Sequence, residues 1–203
     1  MGTIAIDVFS TLDGVGQGPG APGEDDEHGF PFSGWQAPFD DEVVGRAVQE
    51  RIASIDALLL GRRTYDIWAD YWPRHTEDPI GERFDRIPKY VALRKDRILT
   101  WRGSERIGAD LPAEVRAIRD RHEHVHVIGS LDLAQTLLRD GLFDELLLWM
   151  FPVVLGQGKK VFPDGAAPAT LRLLAPAETG DSGAVLLRYA PAGPVRTGRI
   201  GPE

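Results

Sequence analysis

The sequence predicts an α/β protein with three layers: a mainly parallel, mixed central sheet, helices on both of its faces and a C-terminal β-hairpin. Three observations carry this. Short apolar runs alternate with amphipathic helical patterns in the order β-α-β-α-β-(β)-α-β-α-β-β-β, the signature of strands joined by helical crossovers. Within the runs at residues 56–60 and 146–155, positions 57–60 and 146–151 are continuously apolar, as in strands covered on both faces. Two final strand patterns, 171–174 and 184–189, flank a Gly-Asp-Ser-Gly turn. With 203 residues and 42% hydrophobic content the chain can bury a sizeable core, so one domain is expected over residues 1–191. Residues 192–203, rich in Gly and Pro, read as a frayed tail.

Taken in order, residues 3–9 alternate, with Ile4, Ile6 and Val8 on one face, and end in Ser10-Thr11-Leu12-Asp13-Gly14. Residues 14–39 form a long loop of Gly, Pro and acid that also carries Phe30, Phe32, Trp35 and Phe39. A loop of this length in a compact domain is functional or disordered, and its aromatics favour a lid. Asp40 or Asp41 caps a helix whose Val44, Ala47, Val48 and Ile52 share a face. The buried strand 56–60 ends at Gly61-Arg62-Arg63-Thr64, where Tyr65, Trp68, Ala69 and Trp72 mark a helix that Pro73 stops. A short helix follows near residues 82–85. Next come a strand at 89–93, a small one around 98–101, and a helix from Asp110 to about His122, opened by an acidic cap and Pro112. The strand at 126–128 opens through Gly129-Ser130 into a helix, with Ser130 as its cap, that runs through Leu137 and Leu138 to Gly141. Residues 146–155 read as a long central strand that bends or bulges at Pro152.

The formal net charge of −8 argues against general nucleic-acid binding, although residues 86–106 carry a net charge of +5. A basic patch in an acidic chain suits a small anionic ligand. No run of eighteen apolar residues and no signal-peptide pattern is present, and there is no cysteine, so neither a membrane span nor export is expected and a cytoplasmic location fits. His122, His124 and His126 alternate into a strand and would share one face, but no supporting ligand spacing accompanies them, and no metal site is expected.

In open α/β sheets ligands lie outside the carboxyl ends of the strands. Three strand ends carry matching equipment: Gly61-Arg62-Arg63-Thr64, Leu93-Arg94-Lys95 and Gly129-Ser130-Leu131. Two are strand–Gly–helix junctions, whose unpaired N–H groups and helix dipole seat phosphates, and the third is a pair of cations. One elongated anion touching all three would account for the set.

These stretches, with Thr11-Leu12-Asp13-Gly14, Pro88-Lys89-Tyr90-Val91, Leu142-Phe143-Asp144-Glu145-Leu146 and Pro152-Val153-Val154-Leu155-Gly156-Gln157-Gly158-Lys159, resemble the dihydrofolate reductase-like superfamily. Within it, the chain most resembles stand-alone relatives of the reductase domain of the bacterial riboflavin-biosynthesis deaminase-reductase. The resemblance implies a dihydrofolate reductase-like fold, NADPH as cofactor, a homodimer, and a hydride transferred to a small heterocyclic or carbonyl substrate, pterin-like or ribosylaminopyrimidine-like. It places Gly61, Arg62 and Thr64 along the cofactor phosphates, Arg94 and Lys95 at the ribose 2′-phosphate, and Gly129, Ser130 and Leu131 at the pyrophosphate. Leu93 stands where the family often has Ser, which leaves the 2′-phosphate contact to Arg94 and Lys95. The deaminase half, whose zinc signature needs Cys, is excluded.

For a proton donor, Asp13 is the first candidate and Asp41 the second, each with a structural alternative, an Asp-Gly turn and a helix cap. Trp35 and Gln36 are expected to close the substrate pocket from the lid, and Phe151 to line its floor or pack in the core. A non-catalytic nucleotide-binding protein, or a flavin-binding one with its phosphate on the same helix termini, is the alternative function.

Overall fold

In the computed structural model, which describes residues 1–201, strand and helix alternate along most of the chain. Strand β1 (Thr3–Thr11) leads through the long loop to α1 (Glu42–Ser54), then β2 (Ala57–Gly61), α2 (Arg62–Tyr71) and α3 (Pro79–Arg86). There follow β3 (Lys89–Ala92), β4 (Ser104–Ile107), α4 (Leu111–Arg121), β5 (His124–Ile128) and α5 (Leu131–Asp140). Last come β6 (Glu145–Phe151), β7 (Leu171–Leu173), β8 (Glu178–Thr179) and β9 (Val185–Pro191). The strands form one nine-stranded sheet in the order β4-β3-β2-β5-β1-β6-β9-β7, with β8 paired to β9. From β4 to β6 the pairs are parallel, and β9 and β7 close the sheet antiparallel.

The period-2 pattern of β1 separates two cores. Ile4, Ile6 and Val8 pack with Val125, Val127 and Leu146 against Val115 and Ile118 of α4 and Leu133, Ala134 and Leu137 of α5. On the opposite face, Ala5, Leu147, Trp149 and Phe151 meet Val44 of α1, while Leu58, Leu60 and Val91 meet Tyr65 of α2 and Phe84 of α3. The helices therefore cover both faces, which is why β2 and β6 read as unbroken apolar runs.

The helix starts are fixed locally. Asp41, Asp78 and Asp110 cap α1, α3 and α4, their carboxylates accepting from the amides of Val44, Ile80 and Ala113. At α5 the expected cap takes another form: the Ser130 hydroxyl makes no bond to its own helix, because it accepts from Gly61 N of β2 at 2.9 Å instead. Gly141 closes α5 in the left-handed conformation (φ 63°), its N–H donating to Leu137 and Leu138 carbonyls.

Several expectations are corrected. No strand forms at residues 98–101. Trp101 is buried in the core beside Tyr65 and Val91, and the extra strand lies at β4. Opposite its start, the fully buried Lys89 of β3 donates its ammonium to the carbonyls of Asp85, Ile87 and Arg102 and sits 4.3 Å from the Trp101 ring centre. Burial pulls its ionisation down to about 8. Pro152 ends β6 rather than bending it, since it has no N–H to donate to the ladder. His122 caps the end of α4, its Nε2 2.9 Å from the Tyr90 hydroxyl, and shares no strand face with His124 and His126. The expected tail is pinned at its start: Ala192 N donates to Thr170 O and Thr170 N to Gly193 O. Residues 202 and 203 of that tail lie outside the described residues.

Candidate functional site

The carboxyl ends of the parallel strands share one edge of the sheet, and β2 and β5 are neighbours there. Their following helices, α2 and α5, therefore begin side by side. An α-helix leaves its first N–H groups without intrahelical acceptors, so Arg62, Arg63 and Thr64 of α2 and Asp132 and Leu133 of α5 bring two such sets to one place, the Leu131 amide being given to Gly129 O. The bond from Gly61 N to Ser130 Oγ ties the two junctions together. It requires close approach: a Cβ on Gly61 would stand 3.4 Å from the Ser130 Cβ. Gly129, with φ 64°, makes the turn that a side chain would strain.

A cleft opens over these helix starts. Gly61, Arg62, Thr64, Gly129, Ser130 and Leu131 all line it, and so does Gln36. Phe9 at the end of β1, together with Ile67 and Trp68 of α2, gives it an apolar wall. The long loop supplies the facing wall through residues 16–20, Glu24 and Asp25. Arg94 and Lys95 lie outside this lining, exposed at the end of β3 on the same sheet edge, while Leu93 is turned into the core.

Asp13, Asp41, Trp35 and Phe151 do not line the cleft. The Asp13 carboxylate accepts from the Thr11 hydroxyl at 2.6 Å and from the amides of Leu155 and Gly156 at 3.2 and 2.7 Å, joining the end of β1 to the segment after β6. Those donors, Thr11 foremost, hold it below the usual carboxylate range. Asp41 accepts from Val44 N at the start of α1 and from Ser182 N, and Ser182 and Val44 hold its carboxyl down at about 2. Phe151 is wholly buried and packs edge-on against Trp35, whose indole N–H donates to Gln17 O at 2.8 Å. The Trp35 ring thus anchors the loop from behind, and Gln36 is the neighbour that reaches the cleft.

Among the lining residues that the sequence reading did not assign to the site, Gln17, Asp25 and Lys159 form one cluster. The buried Gln17 amide donates to Asp25 O and Glu27 O and accepts from Lys159 N, so it clamps two loops together. Asp25 accepts from Arg63 Nη2 at 2.6 Å and from Lys159 Nζ at 2.9 Å. Burial opposes the charge on Asp25, but Lys159 and Arg63 outweigh it and keep the carboxyl below its ordinary value. Glu24 also lines the cleft; burial pushes its carboxyl up against the opposing bonds from Gly20 N and Ala21 N.

Residues 2–186 match the RibD C-terminal domain. The chain belongs to the RibD C-terminal domain family. Among relatives of this RibD-type chain, the uncharacterized protein YyaP of Bacillus subtilis (strain 168) is 30% identical over 142 residues, 66% of this chain and 73% of YyaP. A provisionally named riboflavin biosynthesis protein of Shewanella sp. PV-4 shares the fold with a TM-score of 0.69 at 16% identity, over 94% of this chain and 99% of that one. A dihydrofolate reductase of Enterococcus faecalis, solved with NADP(H), shares it with a TM-score of 0.56 at 17% identity, over 93% and 96%. The fold of this RibD-type chain is thus of the reductase type, and the expected dihydrofolate reductase-like architecture stands. Among the described residues no helix is long and apolar enough to cross a membrane.

Proposed function

We propose that this protein is an NADPH-dependent reductase that delivers a hydride to a small heterocyclic or carbonyl substrate, pterin-like or ribosylaminopyrimidine-like. The observation that supports this reading is the hydroxyl tie between Ser130 and Gly61, which aligns the first turns of α2 and α5 on one cleft. A diphosphate fits there: its oxygens accept from first-turn amides and from Arg62 and Arg63, and the glycines at 61 and 129 allow close backbone approach. Arg94 and Lys95, with no partner among the described residues, take the ribose 2′-phosphate. The bound nicotinamide supplies the hydride.

The protein's own part is to bind, orient and exclude water. Phe9, Ile67 and Trp68 offer apolar surface to flat rings, and Gln36 closes the cleft from the loop. Glu24, whose carboxyl burial pushes up, is the group disposed to hold a proton at this cleft. Asp13 and Asp41 carry no step in this reading, since neither lines the cleft. We propose self-association as well, through the edge strand β7, where Leu173 and the following Leu174 are exposed; a monomer by light scattering would count against it.

Fluorescence titration tests the cofactor. NADPH should bind in the micromolar range, and an Arg94→Ala, Lys95→Ala double variant should lose on the order of tenfold or more of its preference for NADPH over NADH. An unchanged preference would move the 2′-phosphate elsewhere. Failure to bind NADPH, with tight binding of flavin mononucleotide, would replace the reductase reading by a flavin-binding one.

A further inference from the structure

Arg63 and Lys159 both line the cleft, and both are already held by an anion that belongs to the protein. Asp25 is 7% exposed and lies between them, Oδ1 on Arg63 and Oδ2 on Lys159. The cations themselves remain reachable, their side chains 41% and 30% exposed. Arg63 is not saturated by this pairing: beyond its one close contact with Asp25 its nearest other carboxylate is Glu27, 3.8 Å away, and its Nε is buried with no acceptor among the described residues. Glu27 also pairs with Lys159. The loop does not depend on these charges alone for its place, because Gln17 and Trp35 fix it through backbone carbonyls and amides.

We propose that Asp25 is a resident counter-anion that sets the ligand selectivity of the cleft, keeping Arg63 and Lys159 from monophosphates and yielding them to a diphosphate. An intramolecular carboxylate competes at high effective concentration for as long as the loop is docked. A single phosphate that displaces it trades one set of charge-assisted bonds for another and gains little. A diphosphate brings more charge and more acceptors. It can occupy first-turn amides of α2 and α5 with some oxygens while others take the guanidinium and ammonium that Asp25 releases. The inference rests on the reductase reading only for the identity of the natural ligand, since the competition concerns any phosphate.

The test compares wild type with Asp25→Asn and Asp25→Glu, measuring dissociation constants for inorganic phosphate, inorganic pyrophosphate and NADPH by calorimetry at fixed ionic strength. Wild type should prefer pyrophosphate to phosphate by at least about thirtyfold, and a smaller ratio overturns the proposal. In Asp25→Asn the phosphate affinity should rise about tenfold and the pyrophosphate affinity at most a few-fold, so the ratio falls, whereas Asp25→Glu keeps it. An unchanged ratio in a folded Asp25→Asn protein also overturns it, and if that variant does not fold the wild-type ratio decides. Should NADPH fail to bind while the pyrophosphate ratio behaves as stated, the reductase reading falls and the role of Asp25 stands. NADPH binding with an unshifted ratio gives the reverse.

Discussion

Glu145 and Asp25 each sit between two cations, and the regions around them differ in what fixes those cations. Glu145, on β6, accepts from Arg51 of α1 at 2.5 Å and from Arg188 of β9 at 2.8 Å. Arg51 Nε lies 3.8 Å from Asp7 of β1, and Asp7 pairs with His126 of β5 at 2.5 Å, so the network crosses four adjacent strands and a helix. Every member stands on an element whose register the sheet or helix ladder already sets. Around Asp25, only Arg63 stands on such an element, while Asp25 and Lys159 belong to loops and Glu27 to a single 3-10 turn within the long loop. The same motif of a carboxylate between two cations therefore reinforces a frame in one region and remains exchangeable in the other.

The comparison breaks most readily at Glu145. Replacing it with Ala leaves Arg51 and Arg188 facing each other partly buried, and should cost about 2–4 kcal/mol of stability in urea denaturation. The folded fraction should still bind phosphates. Acid sharpens the same point: burial opposes the charge on Glu145, but Arg51 and Arg188 outweigh it and hold the carboxyl below its ordinary 4.5. Its contribution is present above that unfolded value and is lost as pH falls through the lower native one. A pH series of melting temperatures should accordingly show a steeper acid limb in wild type than in Glu145→Ala, and parallel limbs would remove Glu145 from the frame.

Ser130→Ala comes next. It deprives Gly61 N of its acceptor and should cost about 1 kcal/mol, with weaker pyrophosphate binding because the two helix starts are no longer tied. Asp25→Asn should move stability least, by about 1 kcal/mol or less, since Asn keeps the shape of the side chain and one acceptor oxygen, and the loop keeps its Gln17 and Trp35 anchors. A loss as large as that of Glu145→Ala would make the two regions alike and would sink the distinction drawn between them.

Much of the frame was legible because it is written locally. Alternation in β1, unbroken apolar runs in β2 and β6, and acidic caps at Asp41 and Asp110 each specify an element from neighbouring residues. The strand ends at Gly61 and Gly129 were legible for the same reason, since a glycine followed by a helical pattern is a local signal. What stayed hidden is pairing between distant segments. Asp25 sits in the run Glu24-Asp25-Asp26-Glu27, and nothing within that run marks the one acid that will be buried against Lys159, 134 residues away. Ser130 looked like a cap because Ser before a helix usually is one; its partner, 69 residues earlier, becomes visible only once β2 and β5 are neighbours. Asp13 was open to two readings, a proton donor and an Asp-Gly turn, and its three donors come from a turn and from a loop that only the folded sheet brings near.

The chain has four lysines, and the sealed position of Lys89 makes the other three unusually informative. With its ammonium enclosed by three carbonyls, Lys89 is out of reach of acylating reagents in the native protein. Lys95 follows β3, and Lys159 and Lys160 follow β6, so every amine side chain open to modification lies past the carboxyl end of a strand, on the edge that carries the cleft. Side-chain amine labelling of this protein is thus a readout confined to that edge, with the rest of the molecule silent.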